Sequence, residues 1–467
     1  MGSTEKPFLL VQIDPPTKEL CGDHYYRTYV PLFALGNSSP YFYTISLTNE
    51  HRLRNYLLLT ADVVVLNLVG DPDIVPYVMM RRKRKLVTVY EWNDDIYNIP
   101  PWNPQYRFFT QPHARKTIEQ LAQIADAVQF SSPILKENYG WLNKRHAIFV
   151  NHLLTVPDMQ KSWQENSTLE IGYGGSAGHF YDVASIAQDI SDWIKGKKNV
   201  RLNIMAAKPI VDLFSSVPSS QLRTFPTGSI FEYYDFLKQL HIGLAPLLDT
   251  PFNRSRSDVK FLEYASHGVV PVLQKTPPYS DIVKHGETGL LFNNSRECIE
   301  ILENLLNNPE KIKQIAQNAR NYILRERMMF QHIKERERFY LELIEDLQLN
   351  RRKDRKADRD FFKIKNVEGA VSLGDYVMLT PSRFEIAIRY GLSALAEGNL
   401  NEARYYFFLA SELDKKSYLP YLYQAECVTD KDEKSKLLRE AIKKNPHSVM
   451  ARWMLTNLTK TKLTDKK

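Results

Sequence analysis

The stretch from Leu244 to Phe292, LAPLLDTPFNRSRSDVKFLEYASHGVVPVLQKTPPYSDIVKHGETGLLF, constrains the fold more than any other part of the chain. A short apolar run ends at Leu248. A polar, Arg-rich loop follows, and then about three helical turns from Asp258 to His267. Gly268 stands where a helix C-cap falls, and Val269 to Leu273 reads as a buried strand. Strand, loop, helix and strand in this order put the loop and the helix N-terminus at the carboxyl edge of a parallel sheet. Open α/β sheets bind ligands at that edge, and a helix N-terminus favours an anion. Arg254 and Arg256 lie in the loop, and Lys260 lies in the first helical turn. Glu263 follows Lys260 on the same helix face, roughly 4.5 Å further along the axis. A cation at the helix start and a carboxylate one turn in suit a diphosphate followed by a ribose diol.

The same residues carry a resemblance. Ala245-Pro246-Leu247, Asp249-Thr250, Phe252-Asn253, Ser257, Lys260 and Glu263-Tyr264 match the pattern APL-x-D-T-x-F-N-x-x-x-S-x-x-K-x-x-E-Y, and His285 to Leu291 matches a later H-G-E-T-G-L-L block. The stretch resembles the donor-binding half of the nucleotide-sugar glycosyltransferases with the GT-B fold, in the mostly retaining glycosyl transferases group 1 (family 4-like). Many members of that group carry two Glu eight positions apart. Glu263 matches the second, which holds the ribose; the first falls at Ser255. The resemblance leaves Asp249 or a backbone amide to do the work of the first near the donor sugar, or the sugar to be held differently.

Length and composition bound the rest. The 467 residues suit about three domains. The three cysteines, Cys21, Cys298 and Cys427, are far apart and odd in number, which argues against a disulfide framework and fits a reducing compartment. No Cys/His cluster has zinc spacing. No apolar run reaches the length of a membrane span, and no basic-then-apolar leader opens the sequence. A cytoplasmic location is expected, with peripheral contact at the inner face of a membrane as an extension. Net charge is +8, concentrated in Arg81 to Lys85 (RRKRK) and Arg351 to Lys356 (RRKDRK). Each run reads either as a solvated helix end or as a patch for anionic lipid or nucleotide. No aromatic-and-basic module for nucleic acid appears.

Taken in order, Phe8 to Ile13 reads as a first strand, and His24 to Leu35 as a helix. Where Arg27 sits, the resembling family commonly has an Arg facing the acceptor; packing of the helix start on the sheet is the other reading. Ala61 to Leu68 and Leu86 to Tyr90 are further buried strands, with a helix at Pro76 to Lys85 between them. The second of these strands runs into Glu91-Trp92-Asn93-Asp94-Asp95. An acidic pair at the end of a parallel strand lies at the binding edge. Asp94 and Asp95 could face acceptor hydroxyls or act as acid or base, or could cap a turn, as Asp does on its own. Thr117 to Asp126 reads as a helix and Ala127 to Ser131 as a strand. The polar stretch Thr155 to Thr168 suits an interdomain linker.

Glu170 to Tyr173 begins a second sheet, followed by Gly174-Gly175-Ser176-Ala177-Gly178-His179. Small residues after a strand admit a backbone close to a ligand, and they also make tight turns. The cluster matches the family's G-S-x-x-H-x-x-D loop, which implies donor contacts from Gly174, Gly175, Ser176 and His179. It lacks the six-residue dinucleotide fingerprint, which counts against a dehydrogenase. Leu202 to Met205 is a strand, and Phe225 to Leu240 a loop then a helix, where Tyr233 or Tyr234 could stack on a base or pack in the core. Three helices follow: Arg296 to Asn307, Pro309 to Arg325, and Phe330 to Leu347, the last a candidate to cross back to the first domain. Beyond a charge-dense segment, Gly391, Ala394, Ala403, Phe407 and Ala410 have the spacing of a tetratricopeptide unit. A second, shorter unit runs from Tyr418 to Pro446. Two units are few, so this region is expected to dock on the body or on a partner chain.

The expectation is α/β: two Rossmann-like domains (GT-B) facing a cleft, plus a C-terminal α-helical repeat domain. Residues 1–155 form the acceptor domain, 156–350 the donor domain with its return helix, 351–378 a charged linker, and 379–467 the tetratricopeptide-like repeats. The resemblance implies transfer of a sugar from a nucleoside diphosphate sugar (UDP- or GDP-type) to an acceptor hydroxyl on a glycan, a lipid-linked glycan or a protein, with retention. Asn253, Arg256, Ser257, Lys260 and Glu263 join the glycine loop on the donor. Asp94, Asp95 and Asp249 are the catalytic candidates, and Arg27 is the acceptor contact. No metal or cofactor is expected, because the cations can neutralise the phosphates. Two rivals stand: an inactive GT-B scaffold that binds a partner protein through its repeats, and a related epimerase or phosphorylase on the same fold.

Overall fold

The computed structural model of the chain describes residues 6–16, 22–158, 167–347 and 357–464. The RRKDRK run and most of the 155–168 stretch, as well as Cys21, lie outside the described residues. Two sheets organise the rest. The first is built from β1 (Phe8–Asp14), β2 (Phe42–Thr48), β3 (Val63–Asn67), β4 (Val87–Trp92), β5 (Ala127–Phe130) and β6 (His146–Ile148), all parallel. The second holds β7 (Leu169–Gly175), β8 (Val200–Ala206), β9 (Leu222–Phe225), β10 (Ile242–Ala245), β11 (Val270–Gln274) and β12 (Leu290–Phe292), also parallel. The central strands are almost wholly buried and mostly apolar because helices cover both faces. Val11, for example, is registered between Ile45 and Val64.

In the second sheet the order is β12-β11-β10-β7-β8-β9. The chain runs outward from β7 through β8 to β9, then returns to the other side of β7 as β10. That reversal is a topological switch point, where an α/β sheet opens a crevice at its carboxyl edge. It brings the loop after β7, with the glycine cluster, beside the loop after β10, with the Arg-rich segment.

The expected linker is a difference. Residues 351–378 were expected to be a charged linker; within the described part Ala357–Lys365 is a helix, and Ala370–Leu373 (β13) and Tyr376–Leu379 (β14) form a hairpin. β14 pairs parallel with β2, so the first sheet has the order β13-β14-β2-β1-β3-β4-β5-β6. Burial of apolar side chains outweighs the local charge. Phe361 stacks on Tyr43 at 4.4 Å, and Tyr376 and Val377 are fully buried. Register pairs Leu373 with Tyr376, which leaves Gly374-Asp375 as a two-residue turn. Gly374 takes φ +70°, which that turn requires and an L side chain resists.

Two crossovers join the halves. Leu153 N donates to Arg327 O (3.0 Å), and Met329 N donates to Leu153 O (2.8 Å). The helix Met329–Asp346 then returns to the first sheet, where the Tyr340 hydroxyl donates to Gln129 Oε1 at 2.9 Å.

The helices Arg383–Ala396, Leu400–Leu413, Leu419–Glu426, Lys431–Lys444 and Val449–Thr464 each pack on the one before. A side chain at Gly391 would run into the Phe407 ring, so glycine lets the first pair close. The group docks on the N-terminal half. Ser448 Oγ donates to Asp73 Oδ2 at 2.8 Å, and Arg389 Nε donates to Glu50 Oε1 at 2.8 Å in a buried ion pair. Arg389→Met leaves Glu50 buried without its cation, at an expected cost of about 3–5 kcal/mol. A fall in the urea midpoint checks this, and adding Glu50→Leu is expected to recover most of it.

Candidate active site

The switch point assembles a chain of polar contacts around Asp182. His179 ends the loop after β7, and Asp182 lies in the first turn of the helix Phe180–Lys195. His179 Nδ1 donates to Asp182 Oδ2 at 2.8 Å. The other carboxylate oxygen accepts from Leu248 N and Asn253 Nδ2, each at 2.9 Å. Asp182 therefore ties the loop after β10 to the loop after β7. It also sets the His179 tautomer, so that Nε2 faces the cleft as an acceptor. Arg256 Nη2 donates to that Nε2 at 3.1 Å. Burial holds the imidazole pKa below its usual value, so the ring is neutral there.

Arg256 also reaches across to the N-terminal half. Its Nη1 stands 3.5 Å from Asp94 Oδ2, and its guanidinium lies over the Phe252 ring. Burial pushes the Asp94 carboxyl up to about 6, Arg256 working against this and Asp23 with it. Asp95 has a different role. It accepts from Tyr97 N (3.3 Å), Asn98 N (3.2 Å), Asn98 Nδ2 (2.9 Å), the Tyr139 hydroxyl, and Ser255 Oγ (3.3 Å). The acidic pair thus divides between the two readings open in the sequence: Asp95 caps the turn, and Asp94 faces the cleft. Ser255, at the position of the family's first Glu, is buried and donates to Asp95 across the interface. A Glu at 255 would set two carboxylates against each other.

The Glu263 end of the site is closed by tyrosines. Lys260 Nζ donates to Glu263 Oε2 (3.0 Å) and to the Tyr233 hydroxyl (2.8 Å), and sits over the Tyr233 ring. Glu263 Oε1 accepts from the Tyr26 hydroxyl of the N-terminal half at 3.0 Å, and Tyr234 lies 2.9 Å from that hydroxyl. Tyr26 is in a π-helical turn, His24–Tyr29, at the start of the expected helix. That turn buries four consecutive residues, Tyr25 to Thr28.

Arg27 and Asp249 lie away from the buried cluster. Arg27 is 2% exposed and does not line the cleft. It pairs with Glu91 and donates to Phe149 O and to Asn151 Oδ1 (2.8 Å), so its guanidinium is occupied in the floor of the domain crossover. Asp249 is exposed and pairs with exposed Arg254 at 2.6 Å, outside the buried cluster. Asn253 is buried under the loop and positions it. Gly174 admits the Tyr233 ring: a Cβ there would lie 2.5 Å from it. Gly175 does the same for the Tyr173 hydroxyl. Ser176 is exposed at the loop tip and Ser257 is half-buried. Asp182 and Tyr26 were absent from the expected site. The spacing His-x-x-Asp, one helical turn, signals the first; the second depends on contact across the interface.

Two parallel-stranded units that meet at their carboxyl edges define the GT-B architecture. Residues 220–335 match the glycosyl transferase-like family. Among curated proteins, the glycosyltransferase 1 domain-containing protein 1 of Xenopus tropicalis is 40% identical over 55 residues, which is 12% of this chain and 16% of that protein. Among solved structures, HepE from Anabaena in complex with UDP-glucose is similar with TM-score 0.52 and 11% identity, over 71% of this chain and 99% of that one. The sucrose-phosphate synthase of Thermosynechococcus elongatus aligns with TM-score 0.51 and 11% identity, over 73% of this chain and 100% of that one. These likenesses show the fold.

The Asp94 carboxyl offers a test of the cleft's electrostatics. Its folded pKa of about 6 lies above the unfolded 3.8, so the folded state holds the extra proton between those values. The stability this group contributes is complete below pH 3.8 and is lost as pH rises through about 6. Asp94→Asn is expected to remove that decline, of up to about 3 kcal/mol, in urea midpoints measured across the window.

Proposed function

We propose that the chain transfers a sugar from a nucleoside diphosphate sugar to an acceptor hydroxyl. The observation that carries this reading is the convergence of Arg256, His179, Lys260 and Glu263 at the switch-point edge, with Asp94 facing them from the other half. Bond cleavage places negative charge on the departing diphosphate. Arg256 and Lys260 would stabilise it as fixed cations in a partly buried site, where their charge counts for more than in water. Glu263 would hold the ribose diol, and Tyr233 and Tyr234 line the same face. Asp94, poised near neutrality by burial, would exchange a proton with the acceptor. Two cations on the diphosphate leave no need for a metal in this scheme. Retention of configuration, a UDP- or GDP-type donor, and a glycan, lipid-linked or protein acceptor belong to the same proposal.

The donor must displace Tyr26 from Glu263. The closed contact Tyr26–Glu263–Lys260 also favours a second reading, an inactive scaffold whose tetratricopeptide-like helices bind a partner protein. The two separate in thermal shifts with UDP, GDP and their sugars. Ligand at about 100 times its dissociation constant is expected to add about 2.7 kcal/mol, and Glu263→Ala is expected to lose the shift. Tyr26→Phe frees one oxygen of Glu263 and is expected to tighten nucleotide binding, by up to about tenfold for one net hydrogen bond. No shift with any nucleotide sinks the transferase and leaves the scaffold.

A further inference from the structure

The two crossovers border an open-sided cavity of about 240 Å³, apart from the cleft. Phe149 and His152 line it from the segment leaving the N-terminal half. Arg327, Met329, His332 and Arg336 line it from the segment that returns. Arg336 is 4% exposed. Its guanidinium lies over the Phe149 ring at 4.3 Å, and its Nη1 reaches the Tyr340 hydroxyl at 3.4 Å. Its neighbour Glu337 pairs with Lys334, and among the described residues no carboxylate pairs with Arg336. A buried guanidinium without a counter-charge is costly unless something else supplies one.

The surroundings add to the positive potential. Arg327 is paired with Asp258 and donates to Asn151 O, yet its buried Nε has no partner among the described residues. His152 and His332 stack at 4.0 Å. Burial first, and then His332, Arg327, Arg336 and Arg27, push the His152 pKa down to about 2. The two acids on the lining, Glu326 and Glu335, have side chains 49% and 69% exposed; Glu335 stands 3.9 Å from His332 Nδ1, and His332 Nε2 donates to Glu326 O at 2.8 Å. Wall, size and charge match one kind of occupant: compact, anionic, and rich in acceptor oxygens.

We propose that this cavity binds a phosphate-type oxyanion, free or carried on a small metabolite, held by Arg336 with Arg327 and His152. Such a ligand touches both crossovers, so it clamps the two halves in this arrangement. No residue of the nucleotide cleft takes part.

The test is thermal unfolding of the full chain in inorganic phosphate against chloride at equal ionic strength. The wild type is expected to show a saturable rise in Tm. Lys260→Ala is expected to show the same rise, which separates this cavity from the cleft. Arg336→Met is expected to show none. Absence of a rise in the wild type, or an undiminished rise in Arg336→Met, overturns the proposal. Should Arg336→Met fail to fold, His152→Phe keeps the ring stack and removes the ring nitrogens. A several-fold higher half-saturation is then expected, and an unchanged one overturns the site. Glycerol phosphate in place of inorganic phosphate distinguishes the sources: a shift at lower concentration supports an esterified ligand, a shift at higher concentration the free anion.

Discussion

The cleft depends on where the Arg256 guanidinium is held. One of its amino groups meets neutral His179, the other faces Asp94, and its flat face rests on Phe252. A guanidinium is always charged and offers its donors in a rigid plane. It can therefore hold two partners on different halves without rearranging. Asp182 makes this possible from behind. By accepting from His179, Leu248 and Asn253 together, it fixes the ring tautomer and the loop that carries Arg256. That carboxylate is a common anchor of the two loops of the switch point.

A second set of contacts decides how the halves meet. Arg27 with Glu91, and Arg327 with Asp258, are buried ion pairs beside the crossovers. Each arginine makes a further hydrogen bond to a backbone or amide oxygen of Phe149 or Asn151. Buried pairs of this kind add little net stability but are strongly specific, because the cost of a misplaced partner is high. Among these contacts, Arg327 donating to Asn151 O crosses between the halves. The hairpin β13–β14 and the C-terminal helices then widen the N-terminal half, leaving the cleft itself untouched.

Legibility followed the range of the interactions. The helix over Val259–Ser266, the strands around it and the placement of Lys260 one turn before Glu263 follow from local periodicity, and the chain displays them openly. The hairpin at 370–379 was hidden by the charge of the segment before it, although Gly374-Asp375 between alternating residues is a turn signal. Arg81 was hidden in the opposite sense. It belongs to a basic run, yet it is buried and donates to Leu58 O, Ala61 O and Thr88 Oγ1. Composition cannot tell a solvated cation from one that satisfies backbone carbonyls.

The order of strands and helices, the switch-point loop and the identity of its cations were determined by the sequence itself, because each rests on neighbours a few residues apart. Only the tertiary structure decided which acid of the pair Asp94-Asp95 looks into the cleft, that Arg27 turns inward to Glu91, and that Ser255 stands against Asp95. Those outcomes depend on groups separated by tens to hundreds of positions, brought within hydrogen-bond distance by the packing of two sheets. A carboxylate or guanidinium has the same local signature whether it caps a turn or faces a substrate. What distinguishes the two is the partner that burial forces upon it.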